Sequence, residues 1–467
     1  MMDIDPVILA RIQFAFTVSF HIIFPSFTIG LAAWIATLEG MWLRTKNERY
    51  HTLARFWTKI FAVSFGMGVV SGIVLSYQFG TNWSEYSRIV GNVVAPLIGY
   101  EVLTAFFLEA TFLGIMLFGW NRVPAWLHFT ASVLVALGTT MSAFWILSAN
   151  SWMQYPVGHA MQNGIAVPVD WLQIIFSPTF PTRLLHMVIA AYITTAFVVF
   201  AMGARYWLQG RFIEHAETML RMSLGLLIVL VPLQMIVGDQ AGTTVAKYQP
   251  VKLAAIEGHW NGDESPVPFV LFAWPNQEQE RNDFAIQIPH VASLLITHTW
   301  DGKFPGLTDV PREDRPPVWP VFFSFRIMVG LGLIMLATVL TGAVLWYRDR
   351  LFSTGLYLRV VSFMWPIGFV TILFGWFTTE IGRQPWVATG ILRTVDAASP
   401  VPSGSIIVSL AMFVVVYGIV FSAGIYYINR LLRRGPDHSG TGGDDSSSRR
   451  PMSFAQDSGR EAIQAGE

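Results

Sequence analysis

The chain has 467 residues, 53% of them hydrophobic and only 13% charged, where a soluble domain carries about a quarter charged residues. Its formal net charge of +0 offers no global basic surface for nucleic acid. It has no cysteine, which excludes disulfides, thiolate zinc sites, iron–sulfur clusters and thiolate nucleophiles, so a redox metal must be held by His, Met, Asp, Glu or Tyr.

The N-terminal MMDIDPVILA lacks the basic start and small-residue cleavage site of a signal peptide, so membrane insertion is expected to be driven by the spans themselves. Nine apolar stretches reach the roughly 20 residues needed to cross a bilayer. They lie near 14–38, 56–79, 95–118, 127–147, 186–207, 219–238, 321–346, 355–376 and 405–429. Lipid offers unpaired backbone groups no partner, so each must be helical. The expected fold is therefore all-α, a polytopic membrane protein of nine transmembrane helices.

Basic residues set the orientation. Arg44, Lys46, Arg49, Arg55 and Lys59 lie around the first connection, and Arg205, Arg211 and Arg221 around the fifth. Arg348, Arg350 and Arg359 lie around the seventh, and the chain leaves its last span as NRLLRRG. All fall on one side, which the positive-inside rule assigns to the cytoplasm. The N-terminus is then outside and the C-terminus cytoplasmic. Residues 1–435 read as one transmembrane domain. Two long connections face outward, 148–185 and the aromatic, net-acidic 240–320, which is expected to be a folded extracytoplasmic lid. The Gly/Ser-rich 436–467 reads as a disordered cytoplasmic tail. No internal repeat is evident.

An ionisable group inside a span costs at least ~2–3 kcal/mol on insertion scales and marks function by default. Counted from the outer ends at 1.5 Å per residue, His21 lies about seven residues into the first span and Glu101 about six into the third. His186 opens the fifth, Arg326 and Met328 sit a turn or two into the seventh, and Glu380 and Arg383 follow the eighth. These groups come from five helices yet share the outer third of the bilayer. Glu101 and Glu109, eight residues apart on one helix, would be ~12 Å apart along its axis and ~80° around it, two stations of a proton path on a broad face. The inner half shows no dense ionisable ladder. The remaining histidines, His128 among them, lie in loops, at helix ends or in the tail, where solvated or structural roles are expected.

Two membrane histidines, a methionine, buried carboxylates and arginines, without cysteine, suit haem: His and Met are axial ligands and Arg neutralises propionates. A haem–copper site needs more helical histidines, and a four-helix cytochrome b needs paired histidines on two helices. Two other classes stay open at this point: a proton-coupled transporter, which calls for mid-bilayer sites and inverted repeats, and a haem-binding anchor that relays electrons without binding oxygen.

The segments RIQFAFTVSFHIIFPS, YEVLTAFFLEATFLG, PTRLLHMVIAAY, QPVKLAAIEGHW, FSFRIMVGLG and GWFTTEIGRQPW resemble the signature blocks of subunit I of cytochrome bd-type ubiquinol oxidases, over about residues 8–430. The resemblance implies a quinol:oxygen oxidoreductase that generates proton-motive force without pumping. It implies His186 and Met328 as axial ligands of a low-spin haem b with Arg326 nearby. His21 and Glu380 would each ligate one haem of a high-spin pair, haem b with haem d or a third haem b. Glu101 would sit beside that pair, and Glu109, with Ser142 as a hydroxyl relay, would feed it protons. Arg383 and Trp376 would support propionates and electron transfer. Lys252 and Glu257 would bind and deprotonate ubiquinol or menaquinol in the 240–320 loop, whose length resembles the short-loop branch that includes cyanide-insensitive oxidases. Implied partners are a second large membrane subunit (subunit II), a small single-span subunit, O2 and the lipid bilayer. The implied location is the bacterial inner membrane.

Overall fold

The computed structural model describes residues 5–436, so all but the first residue of the expected 436–467 tail lies outside the described residues. Asp5 caps α1 (Pro6–Thr45) by accepting from the Val7 N–H at 2.9 Å, and Asn47 caps α2 (Glu48–Thr81) in the same way. Pro25 lies inside α1. Its missing N–H frees the carbonyl of His21 one turn earlier, which loosens the helix at a candidate ligand.

The third span is α3 (Ser84–Glu101), a π-turn over Val102–Phe106, and α4 (Phe107–Phe118). The π-turn rotates less per residue than an α-helix, so the 80° expected between Glu101 and Glu109 does not hold. Next come α5 (Ala125–Gln154), the hairpin β1/β2 (His159–Gln162, Ile165–Pro168), α6 (Trp171–Ile175) and α7 (Phe180–Leu208). α7 begins six residues before His186, which therefore sits in the second turn rather than opening the helix.

α8 (Ile213–Tyr248) also outruns its apolar stretch, so residues 240–248 are helix and the long connection spans 249–317. It is folded, as expected, into α9 (Pro250–Glu257), the hairpin β3/β4 (Phe269–Asn276, Arg281–Ile288) and α10 (Val291–Thr297). Then follow α11 (Val318–Tyr347), α12 (Gly355–Phe363), α13 (Ile367–Ile381), the hairpin β5/β6 (Trp386–Ala388, Leu392–Arg393) and α14 (Ser403–Arg434). Among the described residues eight helices are long and apolar enough to span a bilayer, and α12 with α13, bent by 44°, makes a ninth. The break was not expected; Pro366, which cannot continue the ladder of α12, accounts for it.

All three hairpins emerge at one end of the bundle, called here the loop-rich end. One apolar core, with Leu31, Leu38, Trp57, Phe61 and Val199, fills the opposite end between α1, α2 and α7. Another, with Trp83, Val90, Trp152 and Ala388, closes the loop-rich end. The polar side chains lie between these plugs, while Leu340, Val344, Val415 and Ile419 point outward as a lipid-facing surface.

Candidate haem and quinol site

Glu380, in the last turn of α13, is the centre of a polar cluster built from four other segments. Asn150 Nδ2 and Gln154 Nε2 of α5 each donate to its Oε1 at 3.1 Å, and Arg183 of α7 lies 4.0 Å away. Arg383 donates to its Oε2. Arg183 also donates to Ser151 Oγ at 3.1 Å and to Asn150 Oδ1. From α9, Lys252 donates to Gln154 and, at 3.0 Å, to Gln249. Two guanidinium groups and a lysine thus surround one carboxylate. Burial holds Lys252 well below the usual lysine range, with Arg183 and Arg383 adding to the effect and Glu380 opposing it. Arg383 Nε and Nη1 are buried without a partner. A cluster with surplus positive charge and unused N–H donors calls for an anion, and haem propionates have that charge.

Three of the four candidate haem ligands face a glycine on a neighbouring helix. A Cβ at Gly238 would lie 3.5 Å from His186 Cε1, one at Gly375 3.0 Å from Met328 Sδ, and one at Gly72 3.0 Å from His21 Cε1. Side chains at Gly375 and Gly72 would press on Met328 and His21, so the bare backbone keeps room there, while Gly238 would meet His186 at ordinary contact distance. Gln234 reaches His186, with its Nε2 3.2 Å from the ring nitrogens and 3.1 Å from the backbone carbonyl it donates to. His21 Nδ1 lies 3.2 Å from Ser71 Oγ. Ligating types on separate helices, glycines beside three of them and a basic cluster suited to propionates together fit haem. Trp376 lies four residues before Glu380 on α13, hence on the same helix face.

Ser142 Oγ donates to Glu101 Oε1 at 2.7 Å. The hydroxyl expected to relay protons from Glu109 thus sits on the other carboxylate of the same span, Glu101. Glu109 instead packs one turn along α5 on Gly138, where a Cβ would meet its Cγ at 2.6 Å, and its Oε1 is buried without a partner.

Lys252 and Glu257 are both 5% exposed, and they face apart. Glu257 turns toward Arg326 and a cavity of about 220 Å³ whose wall includes His259, Trp260, Glu280 and Asn282. Burial pushes its carboxyl up while Arg326 opposes. Arg326 is held by loop backbone: it donates to the carbonyls of Val270 at 2.9 Å and Ile256 at 2.7 Å, and its guanidinium lies 3.3 Å from the Phe322 ring centre. It ties α9 and β3 to α11, two residues from Met328.

Arg183, Asn150, Gln154 and Gln249 were missed by sequence reasoning, although Arg183 sits within PTRLLHMVIAAY. A second omission lies at the far end of the bundle, where the inner half does hold a buried ionisable group set. His128 Nδ1 is 2.9 Å from Glu39 Oε2, Ser132 Oγ donates to Glu39 Oε1 at 2.6 Å, and all three side chains are buried.

The profile of the family described as cytochrome bd terminal oxidase subunit I matches residues 9–436. The chain is 34% identical over 503 aligned positions to cytochrome bd-II ubiquinol oxidase subunit 1 of Escherichia coli K12, covering 92% of this chain and 97% of the relative. It is 36% identical to cytochrome bd ubiquinol oxidase subunit 1 of Bacillus subtilis 168, covering 92% and 94%. Its fold superposes on the solved bd oxidase of Geobacillus thermodenitrificans with a TM-score of 0.86 at 29% identity, covering 93% of this chain and all of that one.

Proposed function

The chain belongs to the cytochrome bd terminal oxidase subunit I family, a quinol oxidase of aerobic respiration, and on that premise we propose how its own residues divide the work. Quinol is oxidised at the loop-rich end and oxygen is reduced to water within the same third of the bundle. The basic residues at the opposite end support a loop-rich end facing outward, with the N-terminus, from a bacterial inner membrane.

His186 and Met328 hold a low-spin haem b. His21 and Glu380 each hold one haem of a high-spin pair, haem b with haem d or a third haem b. When bound, these groups would supply one-electron transfer and oxygen binding. Arg183, Arg383 and Lys252 would neutralise propionates, and Trp376, one turn before Glu380, would support electron transfer. Arg326 fixes the quinol loop beside Met328. Glu257 takes a proton from ubiquinol or menaquinol at the cavity it lines. Lys252 links the two sites, since α9 presents it to the Glu380 cluster and Glu257 to the cavity. Glu109 and Glu101, the latter held by Ser142, carry protons inward from the cytoplasmic side toward the oxygen site. Proton uptake on one side and release on the other generates proton-motive force without pumping. Subunit II and a small single-span subunit complete the assembly.

The observation that carries this reading is the Glu380 cluster, where three basic side chains meet one carboxylate and Arg383 keeps two unpartnered N–H groups. A reduced-minus-oxidised spectrum of the purified complex, repeated with carbon monoxide and followed by pigment extraction, tests it. Haem with a carbon monoxide response is the expected result. Haem without one would leave an electron-relay anchor, and no haem a proton-coupled transporter.

A further inference from the structure

We propose that His259 is a second proton acceptor in quinol oxidation and that Glu264 passes its proton to solvent. The inference rests on the reading that the cavity beside Glu257 receives the quinol head group.

His259 and Glu257 line the same cavity, and each is about one-twentieth exposed. Each also keeps one buried polar atom without a partner, Oε2 of Glu257 and Nε2 of His259. Two such atoms at one cavity call for hydrogen-bonding groups of a ligand, and a quinol presents two hydroxyls. The backbone makes the pairing. Gly258, between them, ends α9 in the left-handed region at φ +65°, and a Cβ there would stand 3.0 Å from the Phe322 ring. That turn seats residues 257 and 259 at one wall and pins it on α11.

The chemistry requires two acceptors. Oxidising the quinol to the quinone breaks two O–H bonds and releases two electrons, which leave to the haem acceptor of the proposed function. Glu257 as carboxylate takes one proton. The second forms an N–H bond at Nε2 of His259, because Nδ1 is turned to the Phe304 backbone and to Glu264. The imidazolium so formed faces Glu264 Oε2, 3.7 Å from Nδ1, on a side chain 47% exposed. At 3.7 Å the Nδ1 proton reaches Glu264 through a bridging water and passes on to solvent, and the proton left on Nε2 returns to Nδ1 by tautomerisation, which restores the acceptor.

The electrostatic setting agrees. Burial pulls His259 below its usual value, with the Phe304 backbone and Asp309 opposing, so it waits as a neutral base. Glu264 and Asp309 face it on one side. Glu257, Glu280 and Arg281 stand on the other cavity walls, with Arg326 behind Glu257.

The test uses the intact oxidase complex carrying His259→Gln, which keeps a polar group but cannot titrate. Turnover with quinol should fall tenfold or more at neutral pH with haem spectra intact. The acid limb of the pH profile for haem reduction should flatten. A phenolic quinol analogue, followed by quenching of Trp260, should bind at least fivefold more weakly. Wild-type turnover, pH profile and analogue binding would overturn the proposal, provided Glu257→Gln is impaired. If Glu257→Gln is also wild type, the cavity is not the quinol site and the underlying reading fails with it. If His259→Gln does not assemble with haem, the exposed Glu264→Gln decides: slowed, pH-shifted turnover supports the relay, and a wild-type profile overturns it.

Discussion

Lys252 and Glu257 share one short helix, both buried, and serve opposite walls: the ammonium donates toward the Glu380 cluster, while the carboxylate lines the cavity beside Arg326. Five residues rotate an α-helix by ~140° beyond a full turn, so the separation follows from the spacing. Substitutions at the two positions should therefore have different signatures. Lys252→Met removes one cation beside Glu380 and should shift the high-spin haem bands. Glu257→Gln should leave every band in place and slow quinol oxidation. Optical spectra and quinol turnover of both variants check this, and unchanged bands in Lys252→Met would detach Lys252 from the haem site.

The contact between Met328 and Gly375 gives a graded test of the low-spin site. Met328→Leu conserves volume, so it should cost under ~1.5 kcal/mol of stability, yet it removes the sulfur ligand and should convert the low-spin haem to high spin. Gly375→Ala leaves the ligand in place but sets a methyl 3.0 Å from its Sδ. A flexible thioether can give by a few tenths of an ångström. The variant should stay low-spin with a displaced reduction potential, measurable by redox titration, whereas Gly330→Ala, where a Cβ would meet open space, should not.

The spans were legible in the sequence because lipid leaves an apolar run of that length one solution. The expectation that His21, Glu101, His186, Met328 and Glu380 share the outer third of the bilayer rests on the same counting. Three kinds of feature were not legible. The π-turn after Glu101 has no periodic signature, and it changes where Glu109 points. Arg183 reads as an ordinary basic residue near a helix start until α5 and α13 bring Asn150 and Glu380 to it. His128 reads as a helix-end residue until α1 places Glu39 against it, 89 positions away in sequence.

The two carboxylates of the third span should differ in how they depend on α5. Glu109→Ala removes a proton carrier with no neighbouring substitute and should slow oxygen reduction at least tenfold while quinol still reduces the low-spin haem. Ser142→Ala deletes the hydroxyl that donates to Glu101. The hydroxyl positions Glu101 without replacing a proton carrier, so the effect should be smaller and should vanish in a Glu101→Ala background. Stopped-flow oxygen reduction distinguishes the cases: a Ser142→Ala defect that persists without Glu101 would restore the direct relay to Glu109.

The quinol loop should show two opposed pH dependences. His259 is lowered from an ordinary value of 6.5, so its burial costs nothing above that pH. Stability is lost as pH falls below it, because the unfolded chain binds a proton that the folded chain resists. Glu257 is raised from 4.5, so its penalty is absent below that pH and grows as pH rises toward the folded value. Hydrogen exchange over 250–264 at matched pH reads both signs. His259→Gln should gain protection over wild type at about pH 5.5, and Glu257→Gln at about pH 8, with the reverse ordering contradicting the burial of both groups.

The Glu39–His128–Ser132 group makes a stability prediction that separates it from the oxidase machinery at the other end. Glu39 is 1% exposed and has both oxygens engaged, one by His128 and one by Ser132, and the His128 ring packs 4.0 Å from that of Trp120. Removing one partner of such a pair strands the other without water, a loss of ~3–5 kcal/mol, whereas replacing both by apolar groups of similar shape is often neutral. His128→Leu should therefore lower the thermal midpoint of the detergent-solubilised complex sharply, Glu39→Leu likewise, and the double variant should recover most of the loss. Ser132→Ala should cost less, ~1.5–3 kcal/mol, since Glu39 keeps His128. Haem bands should be unchanged in every variant that assembles, because no haem ligand touches this group. A double variant as unstable as either single one would mean that the two residues act through separate neighbours rather than through each other.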